Sequence, residues 1–201
     1  MAEPGIFETI YAQRAIRRFR PEPVPREVIE RIVEAATHAP SGGNRQPWAF
    51  VVVTDAEKKR RIAEWYHEGW VAMYASDPSR PRNAVYRSAE HLAEHMAETP
   101  VLVFPCIAAG GGRRPPFQSG SSIYPAAQNL MLAAAALGVG TVITTFHLRR
   151  EAEVKALLGI PDDYATASMI AMGYPAEGER FGGARRDPVS EVTHYESWGG
   201  V

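Results

Sequence analysis

The stretch His38–Phe50, HAPSGGNRQPWAF, decides how the rest of the chain is read. It leaves an amphipathic helix, passes through Pro40-Ser41-Gly42-Gly43-Asn44, and enters a hydrophobic run through Gln46-Pro47-Trp48. Loops of this composition turn a chain. A loop that only turned would not need an Asn, a Gln and a Trp in close order beside two glycines. The stretch is therefore a candidate ligand cradle. Its glycines let backbone approach a flat ligand closely, and Gln46 and Trp48 are placed to pin the loop to the strand that follows.

Upstream, VPREVIERIVEAATHA carries an apolar stripe of Val28, Ile29, Ile32, Val33 and Ala36, with Pro25 placed as a first helical residue and Glu27 at the positive end of the dipole. Before it, IFETIYAQ spaces Ile6, Phe7, Ile10 and Tyr11 along one helical face. Downstream, WAFVVVT reads as a strand buried on both faces, and Asp55 caps the helix AEKKRRIAEWYHEGW. Tyr66 to Arg87, with SDPSRPRN inside it, is the candidate for a mobile flap. The aromatics Trp65, Tyr66, Trp70 and Tyr74 sit at helical spacings that suit core packing for at least two of them, while a subset could cover a flat ligand. SAEHLAEHMAE reads as helix, PVLVFPCIA as a second buried strand, GGGRRPPFQSG as a loop, and YPAAQNLMLAAAALG as a helix apolar nearly all round that ends at Gly138. GTVITT, the helix REAEVKALLG closed by Gly159, and a fourth strand ATASMIAMGY complete a one-sheet layer fold, α/β or α+β. The tail GGARRDPVSEVTHYESWGG cannot hold a core of its own and should pack on another surface.

The 201 residues fit one domain, with 45% hydrophobic and 22% charged residues. A net charge of −1 provides no global field for nucleic acid or anionic membrane, so any anion site must be a local arginine cluster. The single cysteine, Cys106, excludes a disulfide and a cysteine-based zinc site, and its apolar setting reads as a buried structural thiol. The N-terminus MAEPGIFETI shows no signal-peptide pattern, and no apolar run approaches the ~20 residues of a membrane span; a cytoplasmic protein is expected.

QRAIRRFR holds Arg14, Arg17, Arg18 and Arg20, and far away Arg185-Arg186 precede Asp187-Pro188. Two such groups could clamp one phosphate, because guanidinium forks match phosphate oxygens, or could be solvated surface charge. HLAEH, His91–His95, has metal-ligand spacing on a helix, but no third ligand motif is visible and no metal is expected. GVGT, Gly138–Thr141, follows a helix and precedes a strand, the reverse of a dinucleotide fingerprint, and reads as a turn. AGGGRRP lacks the P-loop lysine, and Ser119, Ser121 and Ser122 have no neighbouring base in sequence.

RAIRRF…VP…IERIVEAATHAPSGGNRQPWAFVVV resembles the N-terminal signature of the FMN-dependent nitroreductase family. SIYPAAQNLMLAAAALGVGTVIT is similar to that family's central helix and following strand, and ARRDPVSEVTHYESWG to its C-terminal phosphate-binding Arg-x-Pro and tail. The resemblance implies an α+β nitroreductase-like fold: one domain over 1–201, a mostly antiparallel sheet flanked by helices, a variable lid at about 65–98, and a tail at about 176–201 that embraces the partner in an intertwined homodimer. It implies FMN as cofactor, NADH or NADPH as electron donor, and reduction of nitroaromatics, quinones or similar small aromatic molecules, with no nucleic-acid or membrane partner. Carried over by position, Arg14 and Ala15 would meet the phosphate side and Arg17 the N1–C2=O edge of the ring. Pro40, Ser41, Gly42 and Asn44 would line the flavin, some across the interface. Ile143, Thr144 and Thr145 would run along the isoalloxazine, and Arg185 and Arg186 would close the phosphate site. Gln13 and Ala15 depart from the family's usual Arg and Ser. Tyr66, Trp70, Tyr124 and His147 are candidate substrate contacts. No catalytic side chain is assigned, since the flavin carries the chemistry.

Related branches are the iodotyrosine-type dehalogenases, whose lid grips an amino-acid zwitterion with a Glu, a Tyr and a Lys, and the flavin-cleaving enzymes that make dimethylbenzimidazole. Glu64 and Tyr66 are present, but Ala84–Thr99 contains no lysine, and PSGGNRQPW lacks the apolar insertion expected of the flavin-cleaving branch. A flavin-sequestering protein of the same fold remains an alternative.

Overall fold

The computed structural model describes residues 4–75, 79, 83–108 and 120–200. The loop read in GGGRRPPFQSG, most of SDPSRPRN, and Ser119 lie outside these residues. The elements in chain order are α1 Ile6–Ala12, α2 Arg26–Thr37, β1 Trp48–Val53, α3 Ala56–Trp70, α4 Ala84–His95, β2 Val101–Ala108, α5 Gly120–Ala136, β3 Gly140–Thr144, α6 Glu151–Leu158, β4 Tyr164–Thr166 and β5 Met169–Gly173.

The strands form one sheet in the order β1-β2-β5-β3, with β4 also paired to β2. Every ladder between these strands is antiparallel, so the α+β reading holds. Successive side chains of a strand face opposite ways, and the core divides accordingly. Leu102, Phe104 and Cys106 of β2 join Met169 and Ala171 of β5 on the face covered by α3, α4 and α6. Val101 and Val103 join Ile170 and Met172 on the face covered by α2 and α5. The expected α2 stripe lies on that second face, with Ile29, Ile32 and Ala36 buried. Asp55 caps α3 by accepting from the Lys58 N–H at 2.8 Å, and Gly159 closes α6 in the left-handed region. The buried ammonium of Lys59 donates to the Thr99 carbonyl at 2.7 Å, which ties α3 to the entry of β2.

Several expectations are corrected. Pro25 is the N-cap of α2 rather than its first residue. β1 lies at the sheet edge and is mostly half-buried, not buried on both faces; a continuous valine run is the same signal for either position. The single strand read in ATASMIAMGY is two. Pro105 of β2 has no N–H to offer, and opposite it the chain inserts one extra residue, so that Cys106 faces Thr166 while Val103 faces Ile170. The Pro105 carbonyl accepts from Ala167 in the gap at 2.9 Å. The stretch assigned to a flap begins as ordinary helix: Tyr66 and Trp70 belong to α3 and are buried. Trp65 is buried too, as core packing of at least two of these aromatics required.

The free edge of β3 is met by the N-terminal segment. Ala15 bridges Thr141 in parallel, and the Ile16 N–H donates to the Thr141 carbonyl at 2.9 Å. Gly140 and Gly173 face each other across β3 and β5. A Cβ on Gly140 would stand 2.9 Å from Ile16, and one on Gly173 would stand 2.8 Å from Pro100 and 3.1 Å from Phe19. The glycine pair is a saddle over which the segment crosses. Gly140→Ala and Gly173→Ala are each expected to lower stability by about 1–3 kcal/mol, read as a fall in the urea midpoint at unchanged slope; midpoints equal to the parent would show that the segment does not rest on the strands.

Candidate functional site

From the saddle, residues 12–20 run antiparallel beside 174–182. The Arg20 N–H donates to the Tyr174 carbonyl at 2.8 Å, the Ala176 N–H to the Arg18 carbonyl at 3.0 Å, and the Gly182 N–H to the Ala12 carbonyl. The three bonds share one register. Arg14 stands two residues from Ala12, and Arg185 and Arg186 stand three and four residues beyond Gly182. At roughly 3.3–3.6 Å per residue, both arginine groups therefore begin within about 15 Å of that last bond. Backbone pairing thus anchors the two groups on either side of that bond, Arg14 inside the paired stretch and Arg185 and Arg186 beyond it. Their guanidinia do not touch: Arg186 donates instead to the Arg185 carbonyl at 3.0 Å.

Arginine charge is paired unevenly over the described residues, and Arg45, Arg149 and Arg180 hold no carboxylate. Arg26, Arg60, Arg61 and Arg150 each hold a glutamate. Among the described residues, Arg14, Arg17, Arg18, Arg185 and Arg186 have no carboxylate in ion-pairing range, while Arg20 reaches Glu22 at 3.6 Å. An end with guanidinia left over in a chain of near-zero net charge is suited to an anion.

Arg17 is half-buried. Burial pulls its pKa below the usual arginine value; the Tyr66 phenol opposes that fall, Arg14 adds to it and Glu179 opposes it. Tyr66 reaches the same point from α3, with its hydroxyl 3.3 Å from Thr144 Oγ1. Burial pushes the Tyr66 phenol up, and the Thr144 hydrogen bond and the Arg17 charge act against that. The Tyr66 hydroxyl thus joins α3 to the end of β3.

The cradle loop lies exposed. Gly43, Asn44 and Gln46 have φ of 60°, 52° and 49°, a left-handed path that explains the Gly and Asn. Its hydrogen bonds among the described residues run within the loop: Ser41 Oγ accepts from the Gln46 N–H at 3.1 Å, Asn44 Oδ1 accepts from the Gln46 amide at 3.3 Å, and the Gly42 carbonyl accepts from Arg45 Nε at 3.0 Å. The expected pin holds for Trp48, which pairs with Ile107 and packs on the core, and is corrected for Gln46. Gln46 braces the loop against itself, and the join to the sheet is made by the Pro47 carbonyl, which accepts from the Ala108 N–H at 2.9 Å. Pro40 and Gly42 are exposed and Ser41 is half-buried, and no hydrogen bond links this loop to the arginine segment of the same chain.

The remaining predicted residues scatter. Ile143 and Thr145 are exposed and Thr144 half-buried at the end of β3, beside half-buried Ala15. Tyr124 is 48% exposed on α5 and donates its hydroxyl to the Ala167 carbonyl at 3.2 Å. His147 is buried instead, its Nε2 3.1 Å from Thr166 Oγ1, which in turn donates to Glu151 at 2.9 Å. Trp70 packs with Tyr74, Tyr86 and Phe146, at centroid separations of 4.7, 6.2 and 6.0 Å. His91 and His95 stack at 4.2 Å, and His95 Nδ1 contacts Glu98 at 2.9 Å. Among the described residues, no group of three His, Cys, Asp or Glu side chains is gathered for a metal ion, and no helix is long and apolar enough to cross a membrane. What sequence reasoning missed is the support: the paired glycines at 140 and 173, and the Tyr66–Thr144 contact, which has no local signature because its residues are far apart in the chain.

The fold and this site define an α+β protein with a helix-clad antiparallel sheet and a basic edge. The chain belongs to the nitroreductase family, whose model matches residues 10–174. It is 34% identical over 176 residues to an NADH dehydrogenase of Thermus thermophilus, covering 82% of this chain and 84% of that one. It is 28% identical over 199 residues to iodotyrosine deiodinase 1 of Rattus norvegicus, covering 96% of this chain and 70% of that one. A solved structure of oxidized iodotyrosine deiodinase bound to FMN and 3-iodo-L-tyrosine superposes with a TM-score of 0.77 at 24% identity, covering 95% of this chain and 98% of that one.

Cys106 is not part of the site. Burial pushes its thiol up to about 12, and Sγ lies 3.3 Å from the Phe104 carbonyl. The native protein should therefore resist iodoacetamide at pH 8 and be alkylated fully in denaturant, as read by mass; rapid native alkylation would place the thiol at the surface.

Proposed function

We propose that two copies of this chain enclose FMN and pass electron pairs from NADH or NADPH to quinones, nitroaromatics or similar electron-poor rings. The carrying observation is the set of arginines that hold no carboxylate among the described residues, Arg14 and Arg17 on one side of the Ala12–Gly182 hydrogen bond and Arg185 and Arg186 on the other. That donor set fits a phosphate monoester, which takes charge-assisted hydrogen bonds from several guanidinium forks. When bound, FMN supplies the hydride chemistry itself, accepting from the nicotinamide and donating to the acceptor.

The protein's share is binding and electrostatics. Arg14, Arg185 and Arg186 hold the phosphate, with Ala15 beside them. Arg17 faces the ring edge where reduction places negative charge, and its fixed cation stabilises that state. Ile143, Thr144 and Thr145 run along the ring, and Pro40, Ser41, Gly42 and Asn44 cover it from the partner subunit. Tyr124 stands on the substrate side, with Tyr66, Trp70 and His147 packed behind that surface.

A second copy is supported by exposed apolar surface. Ile6, Phe7, Ile10 and Tyr11 form the uncovered face of α1, and Val189, Val192, Tyr195 and Trp198 line the tail, Trp198 being 92% exposed. Monomers rarely leave such patches in water.

Likeness to iodotyrosine deiodinase favours a second reading, reductive dehalogenation. The charge arrangement favours the first. The chain has three lysines, Lys58, Lys59 and Lys155, none in the lid, and Glu64 is taken by Arg60 and Arg61. A zwitterion grip of the deiodinase kind therefore lacks its lysine.

The purified protein should be yellow and should oxidise many equivalents of NADH or NADPH when a quinone is supplied; oxidation that stops near one equivalent would mark a flavin-sequestering protein. Iodide release from 3-iodo-L-tyrosine at a rate matching quinone reduction would favour the second reading. Arg186→Ala should lose its colour on gel filtration, and a variant as yellow as the parent would contradict the phosphate clamp.

A further inference from the structure

We propose that Phe146 is a positioning residue: its ring, seated on a row of three aromatic rings, holds the chain where it leaves β3 and so preforms the surface that receives the flavin ring. The proposal rests on the FMN reading and deepens it.

The row is built by spacing. Tyr66 and Trp70 stand four residues apart on α3, and Tyr74 stands four further on, in the π-helical turn Val71–Ala75 that continues the helix. In an α-helix each step of four turns about 40° past a full circle, so a third ring would drift off the line. The wider i→i+5 turn offsets that drift. All three rings reach Phe146: Tyr66 at a centroid separation of 5.3 Å, Trp70 at 6.0 Å and Tyr74 at 5.9 Å, inclined at 66°, 58° and 68°. Inclined contacts of this kind set a ring edge against a ring face. Tyr86 of α4 stands edge-on to Tyr74 at 5.4 Å. Gly69 leaves the room, since a Cβ there would stand 3.4 Å from Phe146 Cδ1 and 3.3 Å from Arg149 Cδ.

The seat matters because of where Phe146 stands in the chain. The β3 ladder ends at Thr144, opposite Met169. Beyond it Thr145 is exposed, and its carbonyl accepts from the Leu148 N–H at 3.0 Å, which closes the turn that Phe146 begins. The ladder and this bond hold the two ends of a short piece of chain, and the Phe146 ring fixes it sideways against α3. Ile143, Thr144 and Thr145 are the residues that the flavin reading lays along the isoalloxazine. A clamp behind them supplies in advance the order that a flavin would otherwise impose on binding. The benefit falls on the flavin ring, which FMN and riboflavin share, and not on the phosphate that distinguishes them.

The test is fluorescence titration of the parent, Phe146→Leu, Tyr74→Leu and the double variant with FMN and with riboflavin, with thermal stability measured alongside. Phe146→Leu keeps apolar bulk and loses the ring. It should weaken both flavins alike, by about threefold to tenfold, the scale of an aromatic pair, and leave their ratio at the parent's value. Tyr74→Leu, at a half-buried position, should act in the same way but more weakly. The double variant should fall no further than Phe146→Leu, because Tyr74 acts through Phe146. A role confined to packing would lower thermal stability and leave both affinities unmoved. Affinities equal to the parent's in either single variant, a loss for FMN alone, or two effects that simply add would overturn the proposal while leaving the FMN reading intact. A parent protein that binds neither flavin would overturn both.

Discussion

The site depends on a steric constraint: residues 14–20 can cross the sheet end only because Gly140 and Gly173 carry no side chain there. A methyl group at either position would collide with the crossing segment or its neighbour Pro100. With the saddle in place, Ile16 is drawn fully into the interior and its N–H completes the edge of β3. That bond fixes where Arg14 and Arg17 stand. The same segment then pairs with residues 174–182, and the second arginine pair follows three and four residues beyond that pairing.

Rigidity behind the basic edge comes from the two-sided core. β2 and β5 are buried along both faces, so their register cannot slip without turning core side chains toward the wrong layer. α3 is held to the start of β2 by Lys59 and carries Tyr66 to the end of β3. The edge thus has a fixed support on one side. The cradle loop, the α1 face and the tail are exposed.

Much of this was legible in the sequence, for identifiable reasons. The stripe on α2, the cap at Asp55 and the stop at Gly159 are local signals, and each lies where it was read apart from the one-residue shift at Pro25. Strand positions were legible too, but not their rank in the sheet: an edge strand covered by helix on its inner face and a central strand share the same valine-rich run. The bulge opposite Pro105 needed knowledge of which strand faces the proline. Gly140 read as a turn residue because its reason for being glycine, the approach of Ile16, comes from far along the chain. Spacing of Tyr66 and Trp70 suits core packing and ligand cover alike, because it does not say which face of the helix is covered. Arginine grouping was legible; the pairing between residues 12–20 and 174–182 was not, because its partners are far apart in the chain.

The central claim is that this basic edge grips the phosphate of a flavin nucleotide. The direct measurement is the ratio of affinities for FMN and for riboflavin, which differ by that group, determined by flavin fluorescence titration in the parent and in Arg14→Ala. Two or more charge-assisted contacts predict that the parent prefers FMN by about 100-fold or more, and that Arg14→Ala loses about a tenfold share of that preference. Equal affinity of the parent for the two flavins would contradict the account.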